Sequence, residues 1–206
     1  MKTKILLIIF FIASAVYCQS PKQVIKKLQN RFNSITNFTA NFSQSIFNEQ
    51  GHEQGKTSGK FTYQRKNRFI VELKNQTIVS DGETIWNSDK RFNRVVISNL
   101  SDDPTSFSLE RFIFDYPALC RLNSLSETPL AKGETYIELV PKDSDMEFKY
   151  VRIWITADGM ISKLELLDMG EIRYTFQFND LKIDQNISDA RFTFFPPKGM
   201  KIIDLR

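Results

Sequence analysis

Histidine is almost missing from this sequence. The single one, His52, lies in the polar stretch 52–56, whose Gly55 makes it typical of a turn between two strands. One histidine without a cluster of acids or cysteines at ligand spacing around it cannot build a histidine-based metal site. No G-x-S-x-G motif is present, and a serine triad would have to recruit this turn residue. The sequence therefore predicts no metal, no cofactor and no catalytic residues, and it argues against an enzyme.

Cysteine is also scarce, with only Cys18 and Cys120 in the chain. Two cysteines cannot form a disulfide-stapled scaffold. Cys120 lies in an apolar stretch that is predicted to be helical, where it would act as a small buried hydrophobic residue. Cys18 ends an apolar leader, but a bacterial lipoprotein signal needs a small residue directly before the cysteine, and Tyr17 stands there. We therefore expect no lipid on Cys18.

No apolar run is long enough to anchor the chain in a membrane. Residues 5–13 are uninterruptedly apolar, follow Lys2 and Lys4, and precede the small residues Ala13 and Ala15. This order is typical of a signal peptide, and the run is too short for a stable membrane span. We predict a signal peptide over residues 1–18; the alternative, a buried N-terminal helix, is disfavoured by the polar stretch that follows.

The charge balance shows no concentrated basic region. The chain has 28 Lys and Arg against 24 Asp and Glu, and without Lys2 and Lys4 the count is 26 against 24, a net charge of +2. No run of like charges stands out. A nucleic-acid partner requires a basic face, so we expect no nucleic acid to bind.

The exported part begins with one clear helix and continues as strands. Ser20-Pro21 followed by Gln23 is a helix-start signature, and apolar residues at helical spacing predict an amphipathic helix over residues 21–35. From Phe38 the apolar period changes to two, and short polar turns separate the runs. About ten strands joined by such turns favour an antiparallel meander. No linker divides residues 19–206, which we predict to be one domain.

One helical segment interrupts this strand pattern, which ends in a last strand. A short helical segment is predicted after Asp103-Pro104, ending before Pro117. Its apolar residues include Phe107, Leu109 and Phe112. Near the end of the chain, Phe192 and Phe194 alternate before Pro196-Pro197 and predict the last strand.

Aromatic residues are what this sequence has in plenty, with 18 Phe, 6 Tyr and 2 Trp along alternating strand faces. Two interpretations stay open at this point: the packed core of a β-sandwich, or a half-closed barrel with an apolar cavity covered by helices. Arg65 favours the second, because it follows Phe61 and Tyr63 on the same strand face. A buried arginine is costly unless its donors are satisfied. We therefore expect Arg65 to bind a lid or a ligand headgroup.

Four stretches in fixed order resemble one known family. They are FTANFSQ at 38–44, GKFTYQR at 59–65 continuing to Phe69, VSDGETIW at 79–86 and ARFTFFPPKG at 190–199. Each is weak alone, but together and behind a signal peptide they resemble the periplasmic outer-membrane lipoprotein carrier family, LolA, over essentially the whole exported chain.

This resemblance implies a fold and a function. The fold is mainly β with a helical lid, a half-open antiparallel β-barrel of about ten to eleven strands covered by short helices. The function is that of a periplasmic carrier, which binds the acyl chains of lipoproteins in its cavity. It takes them from an inner-membrane lipoprotein exporter complex and delivers them to an outer-membrane acceptor, and we expect it to be a monomer.

The resemblance also implies site residues. The family arginine that latches the lid falls on Arg65, and the proline that follows it in the family is replaced by Lys66. Two cavity positions fall on Phe69 and Val71. The expected acyl-chain cavity comprises Phe42, Phe61, Tyr63, Phe69, Val71, Trp86, Phe107, Leu109 and Phe112.

Three alternatives remain from the sequence. A membrane-anchored acceptor of the LolB type shares the fold, and the Tyr17-Cys18 junction argues against it. A carrier of another hydrophobic ligand would need the same cavity. An exported hydrolase or other enzyme lacks a catalytic constellation.

Overall fold

The computed structural model describes residues 20–101, 109–123, 133–143 and 146–206. The predicted signal peptide over residues 1–18, including Cys18, lies outside this part. So do Phe107 and the predicted helix start at Asp103-Pro104. The described residues form a mostly antiparallel sheet of twelve strands with a few short helices.

The first helix follows the prediction closely. Helix α1 spans Pro21–Ser34, and Ser20 caps it: the Ser20 hydroxyl accepts from the Gln23 backbone N, while the Gln23 side chain accepts from the Ser20 N at 2.9 Å. This reciprocal arrangement satisfies two N–H groups that the helix itself leaves unpaired. The buried side of α1 consists of Val24, Ile25, Leu28 and Phe32.

Twelve strands follow in the described residues, against the ten to eleven that we expected. Their bounds are β1 (Asn37–Phe47), β2 (Glu53–Gln64), β3 (Arg68–Leu73), β4 (Gln76–Asp81), β5 (Thr84–Asp89), β6 (Arg94–Asn99), β7 (Cys120–Asn123), β8 (Thr135–Pro141), β9 (Phe148–Ile155), β10 (Ile161–Asp168), β11 (Arg173–Ile183) and β12 (Lys201–Asp204). The predicted turn at 52–56 is shorter than expected, because β2 already begins at Glu53.

The strand order makes an open, curled sheet. The order is β12-β6-β5-β4-β3-β2-β1-β11-β10-β9-β8-β7, so β12 and β7 are its edges in the described part. Strands β1 to β6 form one run of neighbouring strands and β7 to β11 form another. The two runs meet in the centre, where β1 pairs with β11 and Phe42 lies opposite Phe178. This agrees with the half-open architecture that was expected. A single strand, β12, is parallel to its neighbour, β6.

A second helical segment follows β6. Residues 109–119, hereafter the lid segment, contain a π-helical turn (Arg111–Asp115) that continues as helix α2 (Tyr116–Leu119). The prediction that the helix ends before Pro117 is wrong: Pro117 is the second residue of α2, which continues to Leu119. Cys120 was predicted to be helical and is instead the first residue of β7, although it is buried as expected.

The helices and the end of the chain cover opposite faces of the sheet. We call the face packed against α1 and the lid segment the inner face. The C-terminal strap, residues 184–206, crosses the other, outer face with its 3-10 turn (Asp189–Phe192) and ends in the edge strand β12. The predicted last strand through Phe192 and Phe194 is wrong, because Phe192 instead packs against Ile70 and Val79 on this outer face. Within the part of the chain that the structure describes, no helix is both long and apolar enough to cross a membrane.

Candidate functional site

The inner face carries a continuous set of aromatic rings. Phe38 lies 5.2 Å from Tyr63 and 5.7 Å from Phe61, measured between ring centroids. Phe61 in turn contacts Phe69 at 6.5 Å and Phe178 at 6.0 Å. The strand period of two places these rings on one face, and the antiparallel register brings neighbouring strands into contact. The result is an apolar wall that runs across β11, β1, β2 and β3.

Helix α1 covers the middle of this wall. Phe32 contacts Phe38 and Tyr63, with both pairs of ring centroids 5.9 Å apart. Leu28 and Ile35 are also fully buried against the same cluster. Only the apolar side of this amphipathic helix meets the sheet, and the helix takes no part in the strand pairing. Moving α1 away would therefore expose the wall and leave the strand pairing intact.

Glu110 fastens the start of the lid segment to the sheet. The Tyr63 hydroxyl donates to the Glu110 carboxylate at 2.6 Å, and the Asn67 backbone N donates to the same oxygen at 3.0 Å. Burial and the hydrogen bond to Glu110 both raise the pKa of Tyr63 well above its usual value. A second contact joins the two covering elements, since the Gln29 side chain of α1 donates to the Ile113 carbonyl at 3.0 Å.

Arg65 fastens α1 rather than the lid segment. Its Nε donates to the Ile35 carbonyl at 2.6 Å, and its Nη2 donates to the Asn33 carbonyl. The last carbonyls of a helix lack partners within the helix, and a cation there also suits the helix dipole. Arg65 follows the last residue of β2 and is exposed. The expectation of a buried arginine is therefore wrong, and the partners of Arg65 are carbonyls at the end of α1.

Most of the other predicted cavity residues lie together on the inner face. The buried members of this cluster are Phe42, Phe61, Tyr63, Phe69, Leu109 and Phe112, and Val71 packs against it half-buried. Phe107 lies outside the described residues. Thus strands β1 to β3 and the lid segment supply one common apolar surface.

Trp86 lies on the opposite face, so the prediction that it lines the cavity is wrong. Its neighbour Ile85 points to the inner cluster, while Trp86 packs against Ile70, Val79 and Phe192 on the outer face. Both residues are apolar, so the alternation at this point does not show which side is covered by helices. A one-residue shift of the strand register would place Trp86 on the inner face and Ile85 on the outer face.

The apolar wall continues beyond the covering helices. Strands β2 to β6 have a lid end, with the turn at residues 65–67, and a distal end, with the turns at 74–75 and 90–93. Toward the distal end the inner face carries half-buried apolar side chains. They include Val71, Leu73, Ile78, Phe176 and Phe178. We call these five residues the distal strip.

The lid end is more polar. An open cleft of about 640 Å³ adjoins the lid segment there and is lined mostly by polar residues. Its lining includes Asn67, Glu83, Asn99, Arg111 and Asp115. Such a lining suits water or ions better than hydrocarbon. Among the described residues, no group of three or more His, Cys, Asp or Glu side chains is placed to hold a metal ion.

Sequence reasoning missed two of the residues that fasten the lid segment. Glu110 is far from Tyr63 in the chain, and Gln29 is far from Ile113. Neither glutamate nor glutamine belongs to a motif at these positions, so the sequence offers no signal. Only the fold brings each pair together.

These features define a class of protein: an open, curled, mostly antiparallel sheet with one apolar face, which short helices cover. The sequence matches the family described as Outer membrane lipoprotein carrier protein LolA over residues 33–195. It is 30% identical to an outer-membrane lipoprotein carrier protein of Pectobacterium carotovorum, over 94% of this chain and 92% of the relative. It is 29% identical to one of Legionella pneumophila, over 97% and 96%. The chain belongs to the LolA family.

One solved structure supports the fold independently. A crystal structure of an uncharacterized conserved protein from Thermus thermophilus covers 90% of this chain and 99% of its own, with a TM-score of 0.58 at 17% sequence identity. At this identity the likeness concerns the fold alone.

Proposed function

We propose that this protein is a periplasmic carrier that holds the acyl chains of lipoproteins on its inner face and shuttles them from an inner-membrane exporter complex to the outer membrane. The observation that supports this most is the apolar wall, which lies beneath α1 and the lid segment and continues into the half-buried distal strip. Family membership, through relatives named as lipoprotein carriers, supports the same function.

The energetics suit a carrier that must also release its cargo. Burying an acyl chain gains about 0.8 kcal/mol per methylene, so a rigid open cavity would hold long chains very tightly. Here the wall is already covered by α1 and the lid segment, and cargo has to displace them. The closing of the helices therefore competes with binding and lowers the net affinity, as transfer to an acceptor requires.

Arg65 is proposed to set this balance. Its two hydrogen bonds hold the C-terminal end of α1 against the sheet. We expect Arg65→Leu to load a lipoprotein normally but to pass it on poorly, because the covering helix no longer closes behind the departing cargo. Transfer from loaded carrier to acceptor-containing membranes measures this. Arg65→Lys is the control and should retain part of the transfer, since lysine keeps the charge but not the two-point geometry. Normal transfer by Arg65→Leu would exclude the latch.

The carrier function itself is tested by what the protein binds. We expect acylated proteins to co-purify with the protein from its own periplasm, where mass spectrometry would identify them. Free fatty acid alone would indicate a carrier of another hydrophobic ligand. The same measurement determines the N-terminus: cleavage that releases residues 1–18 agrees with a free carrier of residues 19–206, whereas a lipid on Cys18 would indicate a membrane-anchored acceptor.

A further inference from the structure

A phenylalanine surrounded by cations projects from the distal end of the sheet. Phe92, in the turn between β5 and β6, is 61% exposed. The guanidinium carbons of Arg94 and Arg91 lie 5.0 and 5.4 Å from its ring centroid. A single exposed apolar residue is common on protein surfaces, so its significance depends on what surrounds it.

Further cations gather at the same end from separate parts of the chain. The Lys90 backbone N donates to the Asn75 carbonyl at 2.9 Å, which brings the turn holding Lys74 beside it. On the other side, Lys201 of β12 pairs in register with Arg94. We call Lys74, Lys90, Arg91, Phe92, Arg94 and Lys201 the distal patch; all six residues are exposed.

The distal patch has little acidic compensation. Asp89 is the one acidic residue within 89–94 and 198–201. Arg91 binds it with two nitrogens, the closer at 2.8 Å, and this pairing holds the pKa of Asp89 below its usual range. The charges of Lys74, Lys90, Arg94 and Lys201 thus add up to a local positive surface. Because these residues come from three connections, no run of basic residues marks it in the sequence.

The distal patch also borders the apolar wall. Leu73 of the distal strip directly precedes Lys74, and Ile78 lies opposite Asn87, two residues before Asp89. A surface that met the patch would therefore lie beside the distal strip of the inner face.

We infer that the distal patch docks this protein on the surface of a membrane with anionic lipids. Lys and Arg near such a surface are attracted to its headgroups, and an aromatic ring inserts at the interface. A lipid surface adapts to a projecting hairpin without a matching pocket, whereas a protein partner would require a larger apolar contact area than one phenylalanine offers. If the proposed carrier function holds, docking presents the distal strip to the acyl chains in the bilayer.

The test is binding of the protein, expressed from its full sequence and purified in soluble form, to sedimenting vesicles. We expect binding to vesicles of phosphatidylglycerol and phosphatidylcholine that weakens with salt, and little binding to phosphatidylcholine alone. Lys90→Gln with Arg94→Gln should weaken it on the order of 25-fold, since each cation contributes about fivefold. Phe92→Ser should weaken binding at high salt as well.

The matched control removes the same charge elsewhere. Lys26→Gln with Lys182→Gln changes two exposed lysines, one on α1 and one on β11, away from the distal patch. An equal loss in this control, or equal binding to both vesicle types, would overturn the proposal. Binding to polyglutamate but not to the anionic vesicles would assign the patch to an acidic protein surface, and would overturn it too.

A second readout separates this inference from the carrier function. Binding of a fluorescent triacylated lipopeptide in solution should be unchanged in Lys90→Gln with Arg94→Gln, because both residues lie outside the apolar wall. If the unaltered protein bound no lipopeptide but still bound anionic vesicles through the patch, the carrier function would fail and the docking surface would stand.

Discussion

Tyr63 combines an apolar and a polar role in one side chain. Its ring belongs to the aromatic wall, and its hydroxyl holds the lid segment through Glu110. A tyrosine can do this because its polar atom is at the tip of a flat apolar body. The residue that forms the wall therefore also fastens its cover.

Weakening this contact should affect stability and binding in opposite directions. Glu110→Gln replaces a charged acceptor, and we expect the free energy of unfolding in urea to fall by about 1–2 kcal/mol. We expect lipopeptide affinity to rise, because the open form becomes more populated. Glu53→Gln, at an exposed position in β2, is the control. A fall in both quantities would show that Glu110 only supports the fold.

Alkaline pH should destabilise the protein through two buried groups. Burial raises the pKa of the Cys120 thiol to about 11 from its usual 9.0, and the pKa of Tyr63 is also raised. The unfolded chain therefore releases these protons at lower pH than the folded protein. The contribution of the Cys120 thiol to the free energy of unfolding is fully present below pH 9 and is lost as the pH rises through 11.

Urea unfolding from neutral pH to pH 11 would measure this effect. We expect Cys120→Ala to be less stable at neutral pH but to lose less of its stability above pH 9. A pH dependence equal to that of the unaltered protein would mean that the Cys120 thiol does not contribute.

At the scale of elements, the C-terminal strap holds the outer face of β2 to β6. Phe192 is 1% exposed against Ile70 and Val79, and Asp189 accepts from Gln64 and pairs with Arg68 at 3.1 Å. This small second core supports the sheet from the side opposite to the helices.

Two phenylalanines of the strap differ sharply in burial and form a matched pair for testing its role. We expect Phe192→Ala to lower the free energy of unfolding by about 3–5 kcal/mol, because it leaves a cavity in the outer core. Phe195 is 77% exposed, so Phe195→Ala should change it little. Urea denaturation compares them, and similar values for both would argue against a structural role of the strap.

The sequence predicted individual helices and strands better than it predicted which of them contact one another. Helix α1 was found within a residue because its cap and its apolar period are local signals. The strap was mistaken for a strand because Phe192 and Phe194 alternate, and their real partners on β3 and β4 are distant in the chain. The inner-face residues Phe61, Phe69 and Phe112 were predicted, while Trp86 was misplaced for want of a signal that identifies the covered face. Glu110 and the distal patch arise only from the fold.

At the scale of the whole molecule, loading should open the cover but leave the sheet intact. Adding the triacylated lipopeptide should increase amide hydrogen exchange in residues 109–119, because we expect the cargo to displace this segment from the apolar wall. Exchange in β1 and β2 should stay slow, because their ladder of hydrogen bonds is not disturbed. Hydrogen exchange with mass spectrometry would detect both. Protection of the lid segment on loading would show that cargo binds without displacing it.

The position of α1 has a consequence for how the chain folds. This helix is the first described element, yet it packs against β7 and β8, which come from the second half of the sequence. Likewise β1 pairs with β11. Native contacts of such long sequence separation make folding slow. While a newly made chain waits for its second half, Phe32 can already reach Phe38 and Tyr63, but α1 still lacks β7 and β8, so the earliest helix is fixed in its final place only late.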